Sequence, residues 1–223
     1  MRQKVLVEGP ALTQSGYGEH ARLVLRALKL REDVLDIYVN PLNWGTTSWI
    51  LGDFPEREWI ESKIVKLGHL PDNQRSFDIH IRVGIPNEFE RYAPHAVVVT
   101  AGIETTKVSP KWIEKSHQMT KLVVPSEFSK WVFENTKYDV PDENGVKHLV
   151  GCGAPIDVVH YPVPSLEKEE IDLELEHDFN FLIVAQWSIR KNLENTIRWF
   201  VEEFKNDNVG LVIKTNTSRN SLM

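Results

Sequence analysis

Phe179-Asn180-Phe181-Leu182-Ile183-Val184-Ala185-Gln186-Trp187, then Ser188-Ile189-Arg190-Lys191-Asn192, then a helix, then Gly210-Leu211-Val212-Ile213-Lys214-Thr215, is the stretch that decides the fold. Phe181 to Ala185 is a short continuous apolar run, the pattern of a strand buried on both faces of a parallel sheet. Asn192 is a good helix N-cap. After it Leu193, Ile197, Phe200, Val201 and Phe204 recur on one helix face. Leu211 to Ile213 reads as a second buried strand. The three pieces make one βαβ unit whose first loop carries Arg190 and Lys191. Two cations before a helix N-terminus, where backbone N–H groups are unpaired, form a candidate anion site.

The run Val184-Ala185-Gln186-Trp187-Ser188-Ile189-Arg190-Lys191-Asn192 resembles the opening of the C-terminal domain in family-4-type GT-B glycosyltransferases. That loop usually reads Gly-Arg-Leu, three variable residues, then Lys and Gly or Asn. Lys191 and Asn192 match, Ala185 stands at the Gly, and Gln186 stands where the family has Arg. In the family the Arg and the Lys hold the donor diphosphate. Here one of those two charges is absent, either replaced by Arg190 or lost. The plain alternative makes Arg190 and Lys191 solvated loop residues.

Outward from this stretch, 223 residues allow one large domain, or one domain and part of another. A net charge of -6 argues against a general nucleic-acid binder. Cys152 is the single cysteine, which excludes an intrachain disulfide and a cysteine metal cluster. No long apolar segment follows Met1, and no run approaches membrane-spanning length. The expectation is a cytoplasmic protein with no transmembrane segment.

At the other end, Val5-Leu6-Val7 is a strand, and a loop ending in Ser15-Gly16-Tyr17-Gly18 leads into a helix running to about Leu30, with Ala21, Val24, Leu25 and Leu28 on one face. Strand, glycine loop and helix suggest a phosphate or nucleotide site. Gly16, Gly18 and Ala21 satisfy G-x-G-x-x-A, but seven residues, Gly9 to Ser15, separate the motif from its strand, which is wrong for a dinucleotide fingerprint. The long loop ending in Gly-Tyr-Gly is instead similar to the N-terminal domain of the same transferases, whose glycine-loop backbone approaches the donor phosphates. The alternative is glycine for turn geometry alone.

Further strands are expected at Val34 to Val39, Phe77 to Val83, His95 to Thr100, Leu122 to Val124 and Asp157 to Pro164. A helix is expected at Glu56 to Leu67. Asn40 to Asp53 is a long loop whose Trp44 and Trp49 either stack on a sugar or, the favoured reading, pack against the domain. His80 lacks a metal partner at useful spacing and reads as structural. Ser109-Pro110 and Ser126 are helix starts. Phe128, Trp131 and Val132 are expected to share a face, and Asp139 to Gly145 is a polar turn region.

The order of Val97 to Phe133, with Glu104 in a turn and Val124-Pro125-Ser126-Glu127-Phe128, resembles the latter half of a family-4-type N-terminal domain. The resemblance implies that Glu104 faces the cleft near the acceptor and that Ser126 lies near the donor. The plain alternatives are a solvated carboxylate and a helix cap. Glu194 and Glu202 match the Glu-x7-Glu spacing of many such enzymes, but on the wrong helix, and read as a solvated face.

The expected organisation is α/β and GT-B-like: a Rossmann-like domain over residues 1–165, an acidic linker over 166–178, and the start of a second Rossmann-like domain over 179–223, truncated or completed by a partner chain. The expected activity is sugar transfer from a nucleotide-diphosphate sugar to a carbohydrate, lipid or protein acceptor. The resemblance implies retention and no metal, and the donor is substrate, not cofactor. Donor or phosphate contacts are assigned to Gly16, Tyr17, Gly18, Ser126, Gln186, Arg190 and Lys191, with Glu104 as the candidate catalytic carboxylate. A GT-B sugar-nucleotide epimerase, a dinucleotide-dependent oxidoreductase using Gly16, Gly18 and Ala21, and a non-catalytic binding fragment are the alternatives.

Overall fold

Six short apolar runs become β1 (Gln3–Gly9), β2 (Leu35–Pro41), β3 (Ile79–Val83), β4 (His95–Val99), β5 (Lys121–Val124) and β8 (Ile156–Val158) in a computed structural model that describes residues 2–163, 165, 167–171 and 173–215. They pair, all in parallel, in the order β2-β1-β3-β4-β5-β8. This is an α/β fold with a parallel sheet in Rossmann-like order. The chain first steps from β1 to β2 on one side and then returns to place β3 on the other. The exits of β1 and β3 therefore diverge, and such a switch point is where α/β sheets take ligands.

The helices are α1 (Gly16–Lys29), α2 (Arg57–Gly68), α3 (Pro110–Ser116) and α4 (Glu127–Asn135). Alternating strand residues feed clusters on the two sheet faces, as the period-2 geometry requires, and Leu6 and Tyr38 join Phe77 and Ala93 in the smallest of three among the described residues. Val5, Val7, Ile37 and Val39 meet Ala21 and Leu25 of α1 and Ile60 of α2. Ala96, Val98 and Leu122 meet Ile113 of α3 and Val132 and Phe133 of α4. Ser109 and Ser126 cap α3 and α4 through their hydroxyls, as their positions predict.

Three local expectations are corrected. On α4 the inward residues are Ser129, Val132 and Phe133, while Phe128 and Trp131 stack on each other in solvent. The helix turns its small Ser129 inward so that Ser129 Oγ accepts from Ile103 N. The polar stretch at Asp139 is the end of a hairpin, β6 (Tyr138–Pro141) with β7 (Lys147–Val150). Asp142 closes its turn by accepting from Asn144 N and Val146 N. The strand expected over Asp157 to Pro164 stops at Val158, and Pro164 lies outside the described residues.

The chain divides into two compact units, one of Met1–Gly45 and Trp49–Val163, the other of Thr46–Ser48 and Pro164–Met223. Within the second, β9 (Phe179–Val184), α5 (Leu193–Phe204) and β10 (Val209–Lys214) form the expected parallel βαβ unit. Phe181 packs on Phe200 and Phe204 of α5. The expectation that this strand is buried on both faces is not met: Leu182 and Val184 are each 67% exposed. Two strands with one helix can cover only one sheet face. Val201 points to solvent as well, because α5 turns Leu193, Phe200 and Phe204 inward instead. Leu166 and Asp172 of the expected linker, and residues 216–223 of the expected second domain, lie outside the described residues.

Candidate functional site

Ser15 caps α1 by accepting from Gly18 N at 2.9 Å, so this amide is already paired. The amides of Gly16 and Tyr17 precede the first intrahelical bond and are the open donors of the helix end. The two glycines have different physical reasons. A Cβ on Gly18 would lie 2.3 Å from Thr13 O, whereas nothing comes within 4 Å of one on Gly16. Neither has a positive φ, so turn geometry explains neither. Close packing demands Gly18. Gly16 is exposed and leaves the helix end uncovered.

Tyr17 is tied into its surroundings. Its hydroxyl lies 3.1 Å from Thr100 Oγ1 and accepts from Ala101 N at 3.2 Å, and its ring lies against Trp44 with centroids 4.3 Å apart. Trp44 is thus packed on the domain, as favoured, while Trp49 is 42% exposed and donates to Asn43 Oδ1. Arg22 holds the loop from beneath: buried, it donates from Nη1 to Ala11 O and Thr13 O and pairs with Glu19. Neither Thr100 nor Arg22 is marked in the sequence, since each acts through a contact closed by the fold.

The loop after β4 carries Glu104, which is exposed and lines a hollow of about 310 Å3 with Gly102, Ile103, Thr105, Lys107 and Trp112. Ser126 Oγ accepts from Ser129 N and lies 3.0 Å from Ser129 Oγ, which in turn takes Ile103 N. Ser126 therefore caps α4 and braces the backbone beside Glu104.

His80 is structural, as its lack of partners at metal spacing suggests. It is fully buried, stacks on Phe89 and donates to Glu8 at 3.0 Å. Among the described residues no group of three or more His, Cys, Asp or Glu is placed to hold a metal ion, and no helix is long and apolar enough to cross a membrane. His20 escapes sequence reasoning because its helical position looks ordinary. It lies beneath Tyr161, edge to face at 4.8 Å, and burial pushes its imidazole down to about 4.

In the second unit, Ile189–Lys191 form a 3-10 turn before α5. Asn192 is not the side-chain cap that its position suggests. It adopts the left-handed conformation at φ 52°, which asparagine tolerates better than most residues, and its Oδ1 accepts from Asn195 Nδ2 instead. No side chain caps the first turn of α5, so its leading amides stay open. Arg190 and Lys191 are exposed beside that turn and Gln186 is half-buried at the end of β9. Trp187, Ser188, Ile189, Asn192, Leu193 and Glu194 line a hollow of about 320 Å3 at this helix end. Glu194 and Glu202 are exposed, consistent with a solvated face. No family model matches the chain, and no curated protein matches it in sequence.

Proposed function

We propose that the chain is a nucleotide-sugar-dependent glycosyltransferase of the GT-B type, or the part of one that carries the acceptor-side domain and the first donor-side βαβ unit. The observation that carries this reading is the start of α5. An uncapped helix N-terminus beside a hollow large enough for a diphosphate, with exposed Lys191 in the turn that precedes the helix, supports an anion site on the loop that resembles the donor loop of these enzymes. The glycine loop of the first unit supports it with the open amides of Gly16 and Tyr17 at the carboxyl end of β1.

In a transfer of this kind the bond from the sugar to the diphosphate breaks and negative charge grows on the leaving oxygens. Fixed N–H dipoles and a lysine stabilise that charge without reorganising, which is the largest source of rate in such sites. Lys191 supplies a mobile point charge; Gln186 supplies none. Glu104 is the carboxylate on the acceptor side. The acceptor itself is a carbohydrate, lipid or protein hydroxyl.

Lys191→Ala is expected to weaken binding of uridine or guanosine diphosphate by about 1.5–3 kcal/mol, the range of a charge-assisted hydrogen bond. Glu202→Ala, exposed on α5 and not among the residues that line the hollow, is expected to leave it unchanged. Calorimetry on both variants decides: equal affinity for Lys191→Ala and the parent removes the phosphate site from this loop. A second expectation concerns turnover. With one sheet face of the second unit bare among the described residues, that face offers no transition-state contacts beyond the diphosphate, so this chain alone is expected to release little nucleotide in the presence of acceptors. Robust acceptor-dependent release without an added partner would contradict it.

A further inference from the structure

Glu8 is the last side chain of β1 before Gly9, and it stands in register with Asn40 on β2 and Arg82 on β3. A carboxylate on a central strand is costly to bury unless every oxygen is matched. Here it is matched in three directions. Asn40 Nδ2 donates to Oε1 at 2.7 Å, His80 Nε2 donates to Oε2 at 3.0 Å, and Arg82 Nη1 donates to the same oxygen at 3.3 Å. The side chain is 7% exposed. Burial pushes its carboxyl up, and the bonds from His80 and Asn40 with the charge of Arg82 more than offset that, so it sits below the ordinary value of 4.5.

Each partner continues outward to a different loop. Asn40 lies at the exit of β2, where Leu42 N donates to Gly9 O and Trp44 then stacks on Tyr17 of the glycine loop. Arg82 donates from its other nitrogen to Glu88 at 3.1 Å, in the turn Pro86–Glu88 that leaves β3. His80 stacks on Phe89, the residue after that turn, with planes 13° apart. A buried ion network of this kind is a poor stabiliser compared with apolar packing. What it provides is geometry at the diverging exits of β1 and β3.

We propose that Glu8 is the positioning residue of the switch point: through Asn40 it sets the β2 exit loop that seats Trp44 on Tyr17, and through Arg82 it sets the β3 exit turn. Its importance for ligand rests on reading these loops as part of the transferase site, while its role as a hub does not. A hub has a signature that general destabilisation lacks, because its spokes can be cut one at a time.

Amide hydrogen exchange on the full chain, without ligand, reads the spokes at Leu42 N for the β2 exit and Phe89 N for the β3 exit. Asn40→Ala should speed exchange at Leu42 about tenfold and leave Phe89 within twofold. Glu88→Gln, on an exposed carboxylate, should do the reverse. Glu8→Gln should loosen both. Should Glu8→Gln fail to fold, the two single-spoke variants decide. If both amides move together in either single-spoke variant, or neither moves, the network is only part of a cooperative core and the proposal falls. A parallel titration with uridine diphosphate keeps the readings apart: selective loosening with no nucleotide binding removes the transferase reading and leaves the hub standing.

Discussion

Gly18→Ala should destabilise the first unit by about 3 kcal/mol, the upper end of the usual overpacking range, while Gly16→Ala should stabilise it by up to ~1 kcal/mol. Alanine is the better helix former at both positions, so propensity alone predicts gain in each. The difference lies in what the new methyl meets. At Gly18 it would be 2.3 Å from Thr13 O and 2.8 Å from Thr13 Oγ1, in a loop that Arg22 already holds from beneath. A backbone oxygen cannot swing aside as a side chain would, so the loop or the helix must move. At Gly16 nothing stands within 4 Å. Urea denaturation of the two variants reads the contrast. Equal stability of Gly18→Ala and the parent would mean that the close approach of residues 10–15 to α1 does not persist in solution. If Gly16→Ala keeps its stability but loses nucleotide affinity, the open helix end is a ligand site, since no packing reason for that glycine exists.

Acid should remove about 3 kcal/mol of stability through His20 alone, at 1.36 kcal/mol for each unit of pKa displacement. The folded imidazole titrates near 4 and an unfolded one near 6.5, with burial as the cause. On acidification the unfolded chain takes up this proton first. The contribution is complete above about 6.5, declines through the interval, and is fully lost below about 4. Glu8, Glu32, Asp36 and Glu56 are all held below their ordinary values, so their losses begin only as pH falls below about 5 and leave the upper part of the window to His20. His20→Phe keeps a ring against Tyr161 and removes the titration. Its stability should be flat where the parent declines between pH 6.5 and about 5, above the range in which the carboxylates take up protons. An identical decline in both proteins would show that His20 is hydrated in solution.

Much of the site's local structure was legible where a residue type has one dominant local use. Ser109 before Pro110 and Ser126 before α4 are caps because their hydroxyls bond amides within three residues. Asn192 shows the limit of that reasoning. Its type fits a cap, but the 3-10 turn before it carries the backbone into the left-handed region, and its side chain turns to Asn195. In the proposed donor loop the anion would then meet unpaired amides and Lys191 rather than a capped helix.

The sequence by itself determined the order of the strands and helices that build the two parallel sheets, the α/β class and the start of each candidate loop, because these depend on periodicity and on bonds closed within a few residues; it missed the β6–β7 hairpin. It also placed Lys191 beside a helix start. The tertiary structure alone decided which neighbours cross the sheet: Glu8 with Asn40 and Arg82, Tyr17 with Thr100 and Trp44, Gly18 with Thr13. It also decided that α4 buries Ser129 and leaves Trp131 in water, and that Leu182 and Val184 stay bare. The physical reason is the same in each case. Burial and pairing over tens of residues depend on which elements come to lie against each other, and a run of apolar residues states that a face can be covered without stating what covers it.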